Sequence, residues 1–358
     1  MDLEEKRKEI IETSAKEVIV LSSAASGKTD IITKRLKYLL DNGAEPSKIV
    51  TITFTNLAAE ELRTRVGEKG KECFIGTIHS YCNSLLTRNG VSTYDLIKDE
   101  EFDELFNLIK ANLNCVKPVD YVLLDEAQDS NYLQLEFLLD TIRPKSYFLC
   151  GDYRQSIYQY DGATPEALLE LAAQDEVTVY HLNENFRNKK EILDFAKQII
   201  RQNGIDYIDN STAMRGSGGK VISTTYSPTG ITRTIKKYGG YKDWFILCRT
   251  NQDIEEIAAY LREGEVPCAV LRRKDFDTLA DLRNKLQEDS VKVMTIHASK
   301  GLEADNVIII GAVINKRGSH QVVNENNCLN YVAATRARNL LVWAFKERYK
   351  KTTVRSFE

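Results

Sequence analysis

Apolar residues in this chain come in short unbroken runs, separated by longer stretches in which they recur every three or four positions. Val18-Ile19-Val20-Leu21 is such a run, and Ile31, Ile32, Leu36 and Leu39 behind it share one face of a helix predicted over 28–40. The pattern repeats, with strands predicted at 49–54, 74–75, 121–124 and 147–150 and helices at 56–66, capped by Asn56, and from Ile78 onward. Unbroken apolar runs fit strands covered on both faces, and helices between them fit a parallel, doubly wound sheet. The second half repeats the grammar, with strands predicted at 221–225, 244–248, 269–271, 291–295, 307–310 and 340–344. Its clearest helices are one starting near Asn251 (Ile254, Ile257, Ala258, Leu261) and one over 326–338. The expected architecture is two α/β domains, 1–180 and 181–358, with the boundary near Tyr180. No repeat at the 20–50-residue scale is visible.

The first strand runs into Ser22-Ser23-Ala24-Ala25-Ser26-Gly27-Lys28-Thr29. Strand, small-residue loop, Gly-Lys-Thr and helix together form a phosphate-binding loop, with Ser where the pattern has its first Gly. Small side chains let successive N–H groups curl around phosphates, and the helix N-terminus faces the negative charge. Residues Ser23 to Thr29 would cradle the triphosphate of ATP, Lys28 would reach its outer phosphates, and the Thr29 hydroxyl would hold Mg²⁺. A Ser/Ala-rich turn with an accidental Gly-Lys-Thr is the plainer alternative. The strand at 121–124 delivers Asp125-Glu126 to its C-terminal end, followed by Ala127-Gln128-Asp129. In a parallel sheet that is where ligands sit. Asp125 would hold Mg²⁺ and Glu126 would polarise the attacking water. An acidic helix cap would explain the strand end alone, but not its pairing with the upstream loop.

Bulk properties add little. The chain has 358 residues and a formal net charge of −3, which argues against a simple polyanion-coating protein but not against a motor with one basic groove. No apolar run approaches the ~20 residues of a membrane span, and the charged start Met1-Asp2-Leu3-Glu4-Glu5 does not look like a signal peptide. The seven scattered cysteines lack metal-finger spacing and are expected as buried thiols of a cytoplasmic protein.

With those two motifs in order, the chain resembles the UvrD/Rep-like superfamily 1 helicases. Thr53-Phe54-Thr55-Asn56 is similar to their motif Ia, Gly76-Thr77-Ile78-His79-Ser80 to motif Ib, and Gly151-Asp152-Tyr153-Arg154-Gln155-Ser156-Ile157-Tyr158 to motif III. Asn185-Phe186-Arg187 resembles motif IV, the segment from Val293 to Glu303 motif V, and Tyr331-Val332-Ala333-Ala334-Thr335-Arg336-Ala337-Arg338 motif VI. The resemblance implies two RecA-like domains with ATP in the cleft between them and single-stranded DNA, or the tail of a duplex, across their top. It further implies Arg336 as arginine finger, Arg187 as second clamp, and Gln155 as the link from γ-phosphate to DNA. Phe186 falls at the position that stacks on adenine, and Glu303 at the one that bonds the ribose. The implied reaction is ATP hydrolysis coupled to 3′→5′ stepping, with a monomer as the working unit and any protein partner unknown.

Single strands are gripped by flat rings and a few donors. Phe54, Tyr158 and Tyr160 stand at or beside motifs that meet the strand in the family, with Tyr160 at a position usually held by Trp. Asn56, His79, Arg249 and His297 would contact backbone or bases; structural histidines are the alternative for His79 and His297. Arg272-Arg273-Lys274 and residues 346–355 read as solvated faces. The adenine-reading Gln of the family aligns with Arg7, which cannot offer both a donor and an acceptor. Asp161 stands where Arg often follows the stacking ring. The helical insertion in the first domain shrinks to about 92–117, and the large insertion of the second domain is expected to be missing between Arg273 and Val291. A second reading follows: a nucleic-acid-stimulated ATPase switch serving a nuclease or a replication or recombination partner, without unwinding alone. A degenerate binding module does not explain the full set of catalytic residues, and a small-molecule kinase does not explain the second domain's motifs.

Overall fold

The computed structural model describes residues 2–99, 101–204, 207–272, 275–311 and 320–345. Arg273, Lys274 and residues 346–355, read above as solvated, therefore lie outside the described residues. The chain folds as two compact units. The first comprises Met1–Ser22, Gly27–Tyr153 and Tyr158–Leu182; the second comprises Ser23–Ser26, Arg154–Ile157 and Asn183–Glu358.

The first unit holds strands β1 (Glu17–Ser22), β2 (Ile49–Ile52), β3 (Phe74–Gly76), β4 (Tyr121–Leu124), β5 (Ser146–Gly151) and β6 (Thr178–Leu182). They form one sheet in the order β3-β2-β4-β5-β1-β6, every pairing parallel. Its helices are α1 (Leu3–Glu12), α2 (Lys28–Asp41), α3 (Asn56–Val66), α4 (Ile78–Arg88), α5 (Tyr94–Lys98), α6 (Phe102–Ala111), α7 (Tyr132–Glu136) and α8 (Pro165–Ala172). Successive strand residues point to opposite faces, and both faces are covered. Val18, Val20, Leu123, Phe148 and Cys150 pack with Ile10, Ile31, Leu36 and Leu62 from α1, α2 and α3. Ile19, Val50, Val122, Leu124 and Leu149 pack on the other face with Leu85, Phe106 and Leu135 from α4, α6 and α7. This two-sided burial is why the strands read as unbroken apolar runs. β6 escaped that reading because it is an edge strand that leaves His181 exposed, so its sequence mixes polar and apolar residues.

The second unit holds a short parallel pair, β7 (Glu184–Asn185) with β8 (Thr212–Ala213). Its main sheet contains β9 (Lys220–Thr225), β10 (Trp244–Cys248), β11 (Cys268–Val270), β12 (Val291–Thr295), β13 (Ala304–Ile310) and β14 (Ala337–Phe345). Their order is β11-β12-β10-β13-β14-β9, again parallel throughout. Helices α9 (Lys190–Ile200), α10 (Pro228–Tyr238), α11 (Asn251–Glu263), α12 (Leu279–Gln287) and α13 (His320–Ala334) complete it. Trp244, Ile246, Val293, Ile308 and Val342 form a core with Ile235 of α10 and Ile257 of α11. Phe195 of α9 meets Trp343 of β14 edge-on, 5.1 Å between centroids.

Two details correct the sequence reading. Thr55, not Asn56, caps α3: its hydroxyl accepts from the Ala58 N–H at 3.2 Å, and Asn56 is the first helical residue. The Thr55 backbone is extended, as an N-cap requires. The helix expected over 326–338 stops at Ala334, and Ala337 and Arg338 already belong to β14. β14 needs those residues because Ala337 pairs with Ala304 of β13.

Candidate nucleotide site and nucleic-acid track

Parallel strands bring their C-terminal ends, and the loops that follow them, to one edge of each sheet. At the end of β1 the Ser22 hydroxyl donates to the Gly151 carbonyl at 3.0 Å, tying the loop's start to the end of β5. Ala25 and Gly27 both take positive φ, +55° and +84°, so the backbone curls tightly before α2. Gly27 is the N-cap of α2, and no side chain caps that helix. Its first N–H groups are then the donors an anion would use. Arg7 flanks the loop, with Nη2 3.4 Å from Asp30 Oδ2 and 3.5 Å from the Gly27 carbonyl oxygen.

Four predicted residues converge beside this loop. Lys28 is only 7% exposed, and its Nζ lies 3.9 Å from Glu126 Oε1. The Thr29 hydroxyl donates to Asp125 Oδ2 at 2.8 Å. Asp125 is buried at the end of β4, and its other oxygen accepts from the Glu126 N–H at 3.0 Å. Burial pushes the Asp125 carboxyl up to about 6; neighbouring Glu126 adds to the rise, while Lys28 and the Thr29 hydroxyl oppose it. Glu126 itself sits at φ +55°, a conformation that non-glycine residues adopt at a cost and that clusters at functional sites. Gln128, to which sequence reasoning gave no role, holds it there. Its amide donates to Glu126 Oε2, and its carbonyl accepts from the Asp152 N–H at 2.8 Å. Among the described residues no cluster of three or more His, Cys, Asp or Glu could hold a metal. The Thr29 hydroxyl beside the Asp125 carboxylate nevertheless suits Mg²⁺, which takes hard oxygen donors, few of them from the protein when phosphates supply the rest.

The second unit gathers the predicted cations. Arg336 is 2% exposed; Nη2 donates to Gln155 Oε1 at 3.1 Å and Nε to the Val332 carbonyl at 2.9 Å. Lys300 Nζ reaches the Gln155 carbonyl at 3.4 Å, and His297 Nε2 contacts the Ile157 carbonyl at 3.1 Å. Arg187 and Glu303, given separate roles above, pair directly, and Arg338 joins the same carboxylate. Burial would raise the Glu303 carboxyl, but Arg187 and Arg338 outweigh it and bring it down to about 2. The Phe186 N–H donates to the Ala25 carbonyl at 3.1 Å, leaving the ring exposed, and Asn185 Nδ2 donates to the Ala24 carbonyl at 2.9 Å. Arg249 is half-buried at the end of β10.

The predicted aromatics in the first unit form a graded series. Tyr158 is buried, with its ring centroid 4.5 Å from Phe54 and 6.2 Å from Tyr160. Phe54 is 36% exposed and Tyr160 67% exposed. Asn56 is exposed next to Phe54. His79 does not join them: it stacks on Phe102 of α6 at 4.5 Å, 14° from parallel. Burial lowers its pKa, although Asp103 and Asp161 pull the other way.

A phosphate loop followed by paired carboxylates at a parallel-sheet edge, with a second parallel unit that buries Arg154 and Arg336, defines a P-loop nucleoside-triphosphatase class. Residues 3–114 and 102–176 match the UvrD/REP helicase N-terminal domain, and residues 180–278 and 278–348 match the UvrD-like helicase C-terminal domain. The chain belongs to the UvrD/Rep-like superfamily 1 helicases, a family of ATPase motors. It is 26% identical over 359 residues to a "Probable DNA helicase II homolog" of Mycoplasma capricolum subsp. capricolum, covering 70% of this chain and 49% of that protein. A "Probable DNA helicase" of Mycoplasma pneumoniae is 24% identical, over 90% of this chain and 79% of the relative. ATP-dependent DNA helicase PcrA of Staphylococcus epidermidis is 23% identical, over 80% and 53% respectively. Apart from the Mycoplasma pneumoniae protein, the chain spans about half the length of these relatives. No helix among the described residues is long and apolar enough to cross a membrane.

Proposed function

We propose that this chain hydrolyses ATP to ADP and phosphate when single-stranded DNA is bound, and uses the turnover to step 3′→5′ along that strand. The observation that carries the reading is the cluster Lys28, Thr29, Asp125 and Glu126 around an uncapped helix N-terminus. In this reading residues 1–180 and 181–358 are the two motor domains, with ATP in the cleft between them. Lys28 binds the β- and γ-phosphates, and Thr29 and Asp125 hold Mg²⁺. Bound Mg²⁺ supplies positive charge to the phosphate oxygens. Glu126, fixed by Gln128, orients the attacking water and takes its proton. Arg336 and Arg187 stabilise the charge that develops on the transferring group. Phe186 stacks on the adenine, and Glu303 exchanges part of its arginine pairing for the ribose. Phe54, Asn56 and Tyr160 carry the strand, with buried Tyr158 backing Phe54, and Arg249, His79 and His297 contribute donors. The protein works in the cytoplasm as a monomer.

The second reading is an ATPase that does not unwind alone and serves a nuclease or a replication or recombination partner. It is favoured by the small size of the helical segment between α4 and β4, where the described residues form α5, α6 and a 3₁₀ turn at Leu113–Cys115. Strand displacement on 3′-tailed, 5′-tailed and blunt duplexes separates the two, alongside ATPase assays with and without oligonucleotide. Unwinding of the 3′-tailed duplex alone supports the motor. DNA-stimulated ATPase without unwinding supports the partner-dependent reading. ATPase indifferent to DNA overturns both.

A further inference from the structure

A buried carboxylate that belongs to none of the recognised motifs lies in the second unit. Asp209 is 5% exposed. Its Oδ1 accepts from the Ser23 hydroxyl at 3.2 Å and from the Ser211 N–H at 2.9 Å, and lies 3.6 Å from Arg154 Nη1. Its Oδ2 accepts from the Tyr331 hydroxyl at 2.7 Å. Arg154 Nη1 also donates to the Ile208 carbonyl at 3.2 Å, so the guanidinium is gripped from two adjacent residues. Burial would raise this carboxyl, but Arg154 and the donors from Tyr331 and Ser211 hold it below the usual range. It is therefore an ionised group out of water, tolerable because it is paired and hydrogen-bonded.

Three of its partners, Ser23, Arg154 and Tyr331, stand in or near segments with a role in the proposed reaction. Ser23 opens the phosphate loop. Arg154 immediately precedes Gln155. Tyr331 lies on α13 shortly before Arg336, whose guanidinium meets Gln155 at 3.1 Å. We infer that Asp209 is a positioning residue for the phosphate chemistry: by holding Ser23, Arg154 and Tyr331 at once, it sets the first half of the phosphate loop and the Gln155–Arg336 pair in register. It touches no reacting atom. The inference rests on the ATPase reading above.

Asp209→Asn keeps the shape and one acceptor but removes the charge facing Arg154. Displacements of about 1 Å away from the chemistry can cost about 10²-fold in rate. At saturating Mg·ATP and oligonucleotide, kcat is expected to fall about 10- to 100-fold, while KM for ATP changes no more than about threefold, because the lost term belongs to the transition state. Arg154→Gln should lower kcat too, and the Asp209→Asn/Arg154→Gln pair should be no worse than the poorer single variant, since both act through one contact. A carboxylate with only a structural role would lower the melting temperature and leave kcat per folded molecule unchanged; that result overturns the inference. If Asp209→Asn does not fold, Tyr331→Phe and Ser23→Ala decide, because wild-type kcat in both overturns it equally. An unmutated protein without DNA-stimulated ATPase would instead sink the underlying reading, and the inference with it.

Discussion

Tyr160 offers the sharpest test of the nucleic-acid track. A tyrosine buries on the order of 150–250 Å² when fully covered. With 67% exposure, roughly 100–170 Å² is left for a ligand. A stacked base covers one face, about half of that, and at ~25 cal/mol per Å² the gain is ~1–2 kcal/mol. That agrees with the ~1–3 kcal/mol found for base–aromatic stacking. Tyr160→Ala should therefore weaken single-strand binding about 5- to 30-fold, on the scale where ~1.4 kcal/mol is tenfold. Tyr160→Trp should match or tighten it. Fluorescence anisotropy with a labelled oligonucleotide reads the affinity, and a thermal melt reads the fold. The melt should barely move, because the ring has little packing to lose. Tyr158→Ala should behave oppositely, losing ~3–5 kcal/mol of stability as a buried aromatic against Phe54. Unchanged affinity in well-folded Tyr160→Ala would show that the strand does not pass this ring.

Lys28→Ala should weaken both nucleotide binding and turnover, whereas Glu126→Gln should keep nucleotide affinity and stop hydrolysis; normal turnover by Glu126→Gln would remove it as the activating carboxylate. Arg336→Lys should cut kcat by about 10³-fold or more with a far smaller change in ATP affinity. Lysine keeps a charge in that buried site, so the melt serves as the control. Glu303→Gln should lower the melting temperature near neutral pH, since the depressed carboxyl contributes stability above its ordinary pKa of 4.5 and loses it as pH falls toward about 2. The gap between variant and wild type should narrow on acidification; a gap of constant size would mean the ion pairs contribute nothing.

What the sequence disclosed was what chain neighbours decide. The phosphate loop and the Asp125-Glu126 strand end are contiguous, so their strand contexts could be read directly, and the two-sided burial of the sheets made their strands visible as apolar runs. Partners brought together from distant segments were not visible. Asp209 sits in Tyr207-Ile208-Asp209-Asn210, which carries no motif, and its contacts with Ser23 and Tyr331 exist only once the chain is folded. The Arg187–Glu303 pair was hidden in the same way, with each residue assigned a ligand instead of the other. Helix ends were missed for a local reason. Thr55 and Asn56 are both capable caps, and which one sits outside the helix is set by where β2 releases the chain. The alternation that should have shown β6 was blurred by its place at the sheet edge.

The strand order of the first unit has a consequence for how the chain is made. β1 leaves the ribosome well before both its neighbours: Val18 pairs with Phe148 on one side and Thr178 on the other. Until Leu182 has emerged, the strand that carries the phosphate loop has no complete set of backbone partners, and its apolar faces have no finished layers to enter. Non-local parallel pairing of this kind is slow, and an unpaired apolar strand is a template for association. A nascent chain halted near residue 150 would present β1 with one long side open. Translation pauses before Leu182 has emerged should therefore reduce the yield of folded protein, while pauses after its emergence should be tolerated, because the first sheet is by then complete.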